Sequence, residues 1–160
     1  MTAPKFLVAF AAAALLSACA SEPETAATTG AGDANAGAGV VRPGSQEDLR
    51  ANIGDRVFFG TDRSNIQADQ RPVLERQARW LAQYAQNQVT VEGHADERGT
   101  REYNLALAQR RANAARDVLV ASGVAGSRIQ TVSFGKDRPE SLGSDETSWA
   151  QNRRAVTVVR

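Results

Sequence analysis

The sequence predicts an α/β sandwich in which helices pack on one face of a small mixed sheet. Short β-type runs alternate with long amphipathic stretches in the order β-α-β-α-β-β, which is typical of this fold class. Both tryptophans, both tyrosines and most branched aliphatic residues lie beyond residue 46, so the folded domain is predicted over 46–160. A chain of 160 residues leaves room for one such domain once its N-terminal segment is set aside.

The first predicted elements are a short strand and a helix. Residues 56–59 (RVFF) favour a strand, and residues 68–86 favour a helix whose first turn tolerates Pro72. Apolar residues at helical spacing predict the buried stripe of this helix, which comprises Leu74, Ala78, Leu81 and Ala85.

A second strand and a longer helix follow. Residues 89–93 (VTVEG) alternate like a strand, and Thr100 is placed to cap a helix that runs to Ser122 and ends at Gly123. Its predicted apolar stripe comprises Leu105, Ala108, Ala112, Ala115 and Leu119. The last two strands are predicted at 129–134 and 155–159.

The N-terminus predicts export. Residues 6–16 form an unbroken apolar run behind Lys5, which is typical of a secretory signal. This run is well short of the roughly 20 residues that a membrane-spanning helix needs, which disfavours a transmembrane anchor. Residues 16–19 (LSAC) resemble the lipobox that lipoprotein signal peptidases cut before the cysteine. An ordinary signal cut near Ala18 or Ala20, with Cys19 a stray thiol, is the alternative interpretation.

The lipoprotein interpretation predicts a signal peptide at 1–18, a lipidated Cys19 with a tether to residue 45, and the domain at 46–160. Cys19 is the only cysteine, so no internal disulfide can form, and acyl chains on it would make membrane attachment effectively permanent. Ala20, rather than an aspartate, follows this cysteine, and the lipoprotein resemblance then implies sorting to the outer membrane. The tether is rich in Ala, Gly and Thr and cannot bury enough surface to fold.

Charge excludes one class of function. Residues 46–160 carry 17 lysines and arginines against 15 aspartates and glutamates, which gives a net charge of +2. A nucleic-acid binder usually has a larger, clustered basic excess, so no nucleic-acid partner is predicted.

One loop and the helix after it carry the chemistry. Residues 93–100 (GHADERGT) bring Asp96 and Arg98 to the start of the second helix, on which Asn104, Leu107 and Arg111 share one face. An acid and a fixed cation are therefore expected to converge, although the same spacing also fits a structural salt bridge between Asp96 and Arg111.

His94 is predicted to be a strand-end histidine that hydrogen-bonds to the loop. Because it is the only histidine and the only cysteine is predicted to be lipidated, no metal site is predicted.

These motifs resemble the peptidoglycan-binding lipoproteins of the OmpA-like domain family. The similarity is carried by residues 93–112 (GHADERGTREYNLALAQRRA), 132–136 (VSFGK), 149–154 (WAQNRR) and 58–62 (FFGTD), and it covers nearly all of 46–160. Residues 152–154 are interpreted as loop-stabilising and stay outside the predicted site.

The resemblance implies a pocket for the meso-diaminopimelate side chain of the wall peptide. Its residues would be Asp62, Asp96, Arg98, Leu107 and Arg111, supported by Phe59, Thr61 and Asn104. Asp96 would take the ligand's ammonium and Arg111 its carboxylate in charge-assisted pairs, while Leu107 would pack on the methylene stem. Because Thr61 stands where relatives often have an aromatic, weaker stacking is expected there.

The resemblance further implies a non-catalytic protein without a cofactor, anchored in the inner leaflet of the outer membrane with its domain in the periplasm. It implies TolB as a partner, together with other Tol-system or wall-associated lipoproteins, and a role during cell constriction. TolB and wall peptide are predicted to compete for one surface.

Two rival functions remain. A wall hydrolase is suggested by the carboxylates of Glu92, Asp96 and Glu97, but neighbouring arginines favour the ionised form of Asp96, which is wrong for a general acid. The sequence also contains no Cys–His pair, no motif of a Ser with a His base and no cluster of zinc ligands, one of which a peptidase would need. A protein-interaction module that ignores the wall is the second rival.

Overall fold

The computed structural model describes residues 41–160, which form a four-stranded sheet. The strands are β1 (Arg56–Phe58), β2 (Val89–His94), β3 (Ile129–Gly135) and β4 (Arg154–Val159). Their order is β1-β4-β2-β3. β4 runs antiparallel to both neighbours, whereas β2 and β3 are parallel, so the predicted mixed sheet is confirmed.

The helices of the described residues are α1 (Gln46–Asp48), α2 (Arg71–Gln83), α3 (Arg101–Ala121) and α4 (Glu146–Asn152). A π-helical turn (Leu49–Ile53) follows α1, and a 3-10 turn (Gly126–Arg128) precedes β3. The predicted element order was wrong in omitting α1 and α4. Both are too short to show the periodicity by which α2 and α3 are recognised.

The ends of α3 agree with the prediction. The Thr100 side chain accepts a hydrogen bond from the backbone N–H of Tyr103 at 3.3 Å, as an N-cap does. Beyond the last turn, Gly123 has a φ of +98°, a left-handed conformation that favours glycine. α2 is shorter than predicted, and the inclusion of Ala85 in its stripe was wrong because this residue lies beyond the helix and is exposed.

The core lies between the sheet and the helices α2 and α3. It includes the predicted residues Leu74, Ala78 and Leu81 of α2 and Ala112, Ala115 and Leu119 of α3, packed with Val57, Val89, Val91 and Ala155 of the sheet. Leu105 is only partly buried, whereas the polar face of Asn104 and Arg111 is buried. The buried surface of α3 is therefore wider than its apolar stripe.

α3 lies directly on β2 at one point, and this contact positions the site. A Cβ on Gly93 would lie 1.9 Å from the carbonyl oxygen of Ala108, so a side chain at residue 93 has no room. The close approach holds the loop after β2 against the first turns of α3.

Hydrogen bonds of the domain extend to residues that the composition places in the tether. The Asn87 side chain donates to the carbonyl of Gly44 at 2.8 Å, and Ser45 caps α1. Within residues 41–160 no helix has both the length and the apolarity to cross a bilayer. The predicted signal peptide, Cys19 and the tether up to residue 40 lie outside the described residues.

Candidate functional site

A cavity of about 260 Å³ opens between the segment after β1, the loop after β2 and the N-terminal half of α3. Its lining comprises Thr61, Asp62, Ala95, Asp96, Arg98, Gly99, Tyr103, Asn104, Leu107 and Arg111. The structure thus brings together all five residues predicted for the pocket and two of the three supporting residues. The third, Phe59, is not part of the lining.

Arg111 forms the floor of the cavity and is fully buried, with 0 % of its surface exposed. It donates through Nε to the carbonyl of Arg63 at 2.8 Å, through Nη1 to that of His94 at 2.9 Å and through Nη2 to that of Gly60 at 3.1 Å. Burial lowers the pKa of the guanidinium to about 10, although the nearby charge of Asp96 opposes this, so Arg111 stays cationic at neutral pH. One N–H remains on each of Nη1 and Nη2.

Asp96 is also buried, with 7 % of its surface exposed. Oδ1 accepts from the backbone N–H and the Nε of Arg98, both at 3.1 Å, and Oδ2 accepts from Nη2 of Arg98 at 2.7 Å and Nη1 of Arg153 at 3.4 Å. These bonds use the roughly four acceptor positions of a carboxylate. Burial acts to raise the pKa of Asp96, but the hydrogen bonds and charge of Arg98, together with the hydrogen bond from Arg153, outweigh it and hold the pKa below its ordinary value.

Asp96 and Arg111 therefore share the cavity without pairing with each other. The interpretation of this pair as a salt bridge between loop and helix is wrong. Asp96 pairs with Arg98 and Arg153, whereas Arg111 donates to backbone carbonyls. Sequence reasoning left Arg153 out of the site. It does not line the cavity, but it fixes the acid that does.

Arg98 lies at the rim, with 38 % of its side chain exposed. Its guanidinium stacks 4.1 Å from the centroid of the Trp149 ring, and its Nη2 lies 3.4 Å from the hydroxyl of Thr61. Asn104 holds the same loop from α3 by donating to the carbonyl of Arg98 at 2.7 Å.

Tyr103 is a rim residue that sequence reasoning missed. It is 46 % exposed, and its hydroxyl donates to Oδ1 of Asp62, which has a φ of +56°. An aromatic ring therefore borders the cavity from α3, although Thr61 supplies none from the opposite side. The position of Tyr103 three residues after the cap Thr100, in the first turn of the helix that follows the loop, was a signal that its side chain could lie near the site.

Phe59 and Leu107 supply apolar surface in different places. Leu107 is buried and faces the cavity, as predicted from its helical spacing. Phe59 lies behind it, with its ring 5.2 Å from the Arg111 guanidinium, and borders a neighbouring groove of about 510 Å³ instead. Its predicted support of the pocket is thus indirect and acts through Arg111.

The predicted hydrogen bond of the His94 ring is wrong, because neither ring nitrogen has a hydrogen-bond partner within residues 41–160, and the carboxylate of Glu92 lies 3.7 Å from Nε2. The ring stacks on Phe134 with centroids 5.6 Å apart. Burial, with a contribution from the charge of Arg154, lowers the pKa of His94 to about 4, so the ring is neutral at pH 7. Nor do three or more His, Cys, Asp or Glu side chains of the described region form a group that could hold a metal ion.

The arrangement suits a ligand that carries both charges. An ionised carboxylate and a buried guanidinium face one small cavity, and Leu107 supplies an apolar wall between polar groups. A general acid at neutral pH needs a raised pKa, whereas that of Asp96 is lowered. The chemistry of the site therefore suits the binding of a zwitterion.

A family model described as the OmpA family matches residues 58–153. A relative from Mesorhizobium japonicum named peptidoglycan-associated lipoprotein is 53 % identical, over 99 % of this chain and 94 % of its own length. A relative of the same name from Brucella melitensis is 55 % identical, over 81 % of this chain and 77 % of its own.

Solved structures show the same fold. The crystal structure of the peptidoglycan-associated lipoprotein from Burkholderia pseudomallei is 40 % identical with a TM-score of 0.66, and the match covers 71 % of this chain and all of that one (100 %). The C-terminal domain of MotB from Helicobacter pylori is 22 % identical with a TM-score of 0.61, over 66 % of this chain and 84 % of that one, which shows likeness of fold alone.

Proposed function

This chain belongs to the OmpA family, as one of its peptidoglycan-associated lipoproteins, and we propose that it tethers the outer membrane to the cell wall. Lipid on Cys19 would hold the chain in the inner leaflet of the outer membrane. The domain would then bind the meso-diaminopimelate side chain of peptidoglycan in the periplasm, non-covalently and without catalysis.

The observation that carries this proposal is that Asp96 and Arg111 face one cavity without pairing with each other. The free end of diaminopimelate is an amino-acid head with an ammonium and a carboxylate. Arg111 keeps one N–H on each terminal nitrogen for the carboxylate, in the fork geometry that guanidinium offers. The ammonium would go to Asp96, in exchange for Arg98, and the methylene stem to Leu107.

Anchoring of many copies in one membrane strengthens the overall binding to the wall, although each single site is weak. Each charge-assisted hydrogen bond contributes about 1.5–3 kcal/mol, which by itself gives modest affinity. Many anchored copies that face a polymeric wall raise the effective concentration, so the layer as a whole binds firmly while each copy exchanges.

Co-sedimentation with purified wall sacculi tests the proposal. The full chain in detergent should sediment with sacculi, whereas Asp96→Ala and Arg111→Lys should lose about 2 kcal/mol or more of binding. Matched controls are Asp117→Ala and Arg101→Ala, which remove an exposed acid and an exposed arginine of α3 that do not line the cavity. Binding of the pocket variants at the level of the controls would contradict the proposal.

Catalysis is tested on the same sacculi. We expect no release of reducing ends or new amines over the course of binding. Release of such products by the wild type, abolished in Asp96→Asn, would contradict the tether and identify a wall hydrolase.

The proposal includes TolB as a partner during cell constriction. Tyr103, Asp62 and Arg98 are exposed at the rim, so a protein that docks there would close the cavity. Excess TolB should therefore release the chain from sacculi. Additive binding of TolB and wall would contradict a shared surface and favour two separate ones.

A further inference from the structure

Helix α4 holds the loop that carries the acid. Trp149 of this helix and Arg153, the residue directly after its last turn, lie four positions apart and contact three consecutive loop residues. The indole Nε1 donates to Oε1 of Glu97 at 3.0 Å, and the ring lies under the guanidinium of Arg98. Arg153 reaches Asp96 at 3.4 Å.

We propose that Trp149 is a positioning residue of the pocket. Its indole ring fixes the Arg98 guanidinium beside Asp96 and keeps it at the rim when the ammonium of a wall ligand takes its place on the carboxylate. This inference rests on the proposed function for its second half only, because the first half concerns contacts within the chain.

The contacts of Arg98 show why such a residue is needed. The carboxylate of Asp96 has no acceptor position to spare, so an incoming ammonium must displace Arg98. A long, partly exposed side chain released from its partner would swing into water and lose its order. Apart from Asp96, the Arg98 guanidinium contacts only the indole of Trp149 and, through a long hydrogen bond, Thr61 within residues 41–160.

Retention of Arg98 has a chemical consequence. A guanidinium that stacks on an aromatic face directs its N–H groups outward in its own plane rather than into the ring, so they remain available to acceptors. Arg98 would then present them to the ligand's carboxylate in addition to Arg111, which leaves Asp96 with the ammonium. Trp149 acts through Arg98 and touches no ligand itself.

The first test is peptide binding by the full chain in detergent, with a soluble stem peptide that contains meso-diaminopimelate as the probe. Trp149→Ala should weaken binding about three- to tenfold, as expected for a lost cation–π contact, while Trp149→Phe should stay within about twofold. In an Arg98→Ala background, Trp149→Ala should have no further effect. An unchanged Kd for Trp149→Ala, or an equal loss without Arg98, would overturn the proposal.

The second test needs no ligand. Hydrogen bonds from Arg98 help to lower the pKa of the Asp96 carboxyl, so a loosened Arg98 should let it rise. Carboxyl NMR should show a higher Asp96 pKa in Trp149→Ala and an unchanged one in Trp149→Phe, with similar thermal midpoints. Failure of the wild type to bind the peptide would contradict the proposed function. The positioning role of Trp149 would then be decided by the Asp96 pKa alone, and an unchanged pKa in Trp149→Ala would overturn it.

Discussion

Asp96 and Arg111 line one cavity and yet form neither a hydrogen bond nor an ion pair with each other, because each is held by a different set of groups. Arg111 is fixed by the backbone carbonyls of Arg63, His94 and Gly60, whereas Asp96 is fixed by arginine side chains. A cation bound by backbone cannot leave, but an acid bound by a rim arginine can exchange its partner. The site is therefore rigid at one charge and exchangeable at the other.

Arg111 should matter for stability as well as binding. Arg111→Ala leaves three backbone carbonyls without their donor, so the free energy of unfolding should fall by about 3 kcal/mol or more. Urea unfolding monitored by circular dichroism measures this. The neighbouring Arg110→Ala, on an exposed position of the same helix, should change stability by less than about 0.5 kcal/mol. Equal stability of the two variants would contradict a structural role of Arg111.

His94 should make stability depend on pH. Burial lowers its folded pKa to about 4 from an ordinary value of 6.5, so the unfolded chain binds a proton that the folded domain refuses. The contribution of the neutral ring to the free energy of unfolding is complete above pH 6.5 and is lost as the pH falls from there toward 4. At pH 5 the free energy of unfolding should be lower by about 1–2 kcal/mol than at neutral pH.

Urea unfolding at pH 7.5 and pH 5 tests this in wild type and His94→Phe. Because His94 is the only histidine, the variant should lose most of the dependence in this window. A slope that persists in the variant would assign the effect to other groups.

Gly93→Ala should disrupt the domain at the junction of β2 and α3. The new Cβ would overlap the carbonyl of Ala108, which is backbone and cannot give way without moving the helix. We expect a loss of about 3 kcal/mol or more in the free energy of unfolding, with weakened peptide binding because the loop shifts. Gly126→Ala is the control, since its Cβ would lie 3.3 Å from the end of the Arg116 side chain and 3.9 Å from a methyl group of Val120, and no backbone atom would be in its way. A stable Gly93→Ala variant would show that α3 does not need this close approach.

The parts of the site that could be predicted lie close together in the chain. The loop at 93–100 and the first turns of α3 are joined by a cap at Thr100, so helical spacing places Asn104, Leu107 and Arg111 on one face. The two long helices are predictable for a similar reason, because their periodicity extends over many residues.

The parts that could not be predicted depend on long-range contacts. Arg153 binds Asp96 across 57 residues, and Trp149 binds Glu97 across 52, so no local spacing reveals either contact. Helix α4, which carries Trp149 and ends directly before Arg153, is too short for its apolar pattern to be recognised. The direct partner of the acid was for this reason assigned to loop stabilisation, and Phe59 was placed on the pocket rather than behind it.

The proposed function requires the pocket to bind both charges of a zwitterionic amino-acid end. The most direct measurement is calorimetric titration of the full chain in detergent with two stem peptides that differ only at the third residue, meso-diaminopimelate or L-lysine. Lysine keeps the ammonium but lacks the carboxylate, so we predict at least about tenfold weaker binding, and a similar loss for Asp96→Asn with the diaminopimelate peptide. Equal affinity for both peptides, or full affinity in Asp96→Asn, would contradict the proposed function.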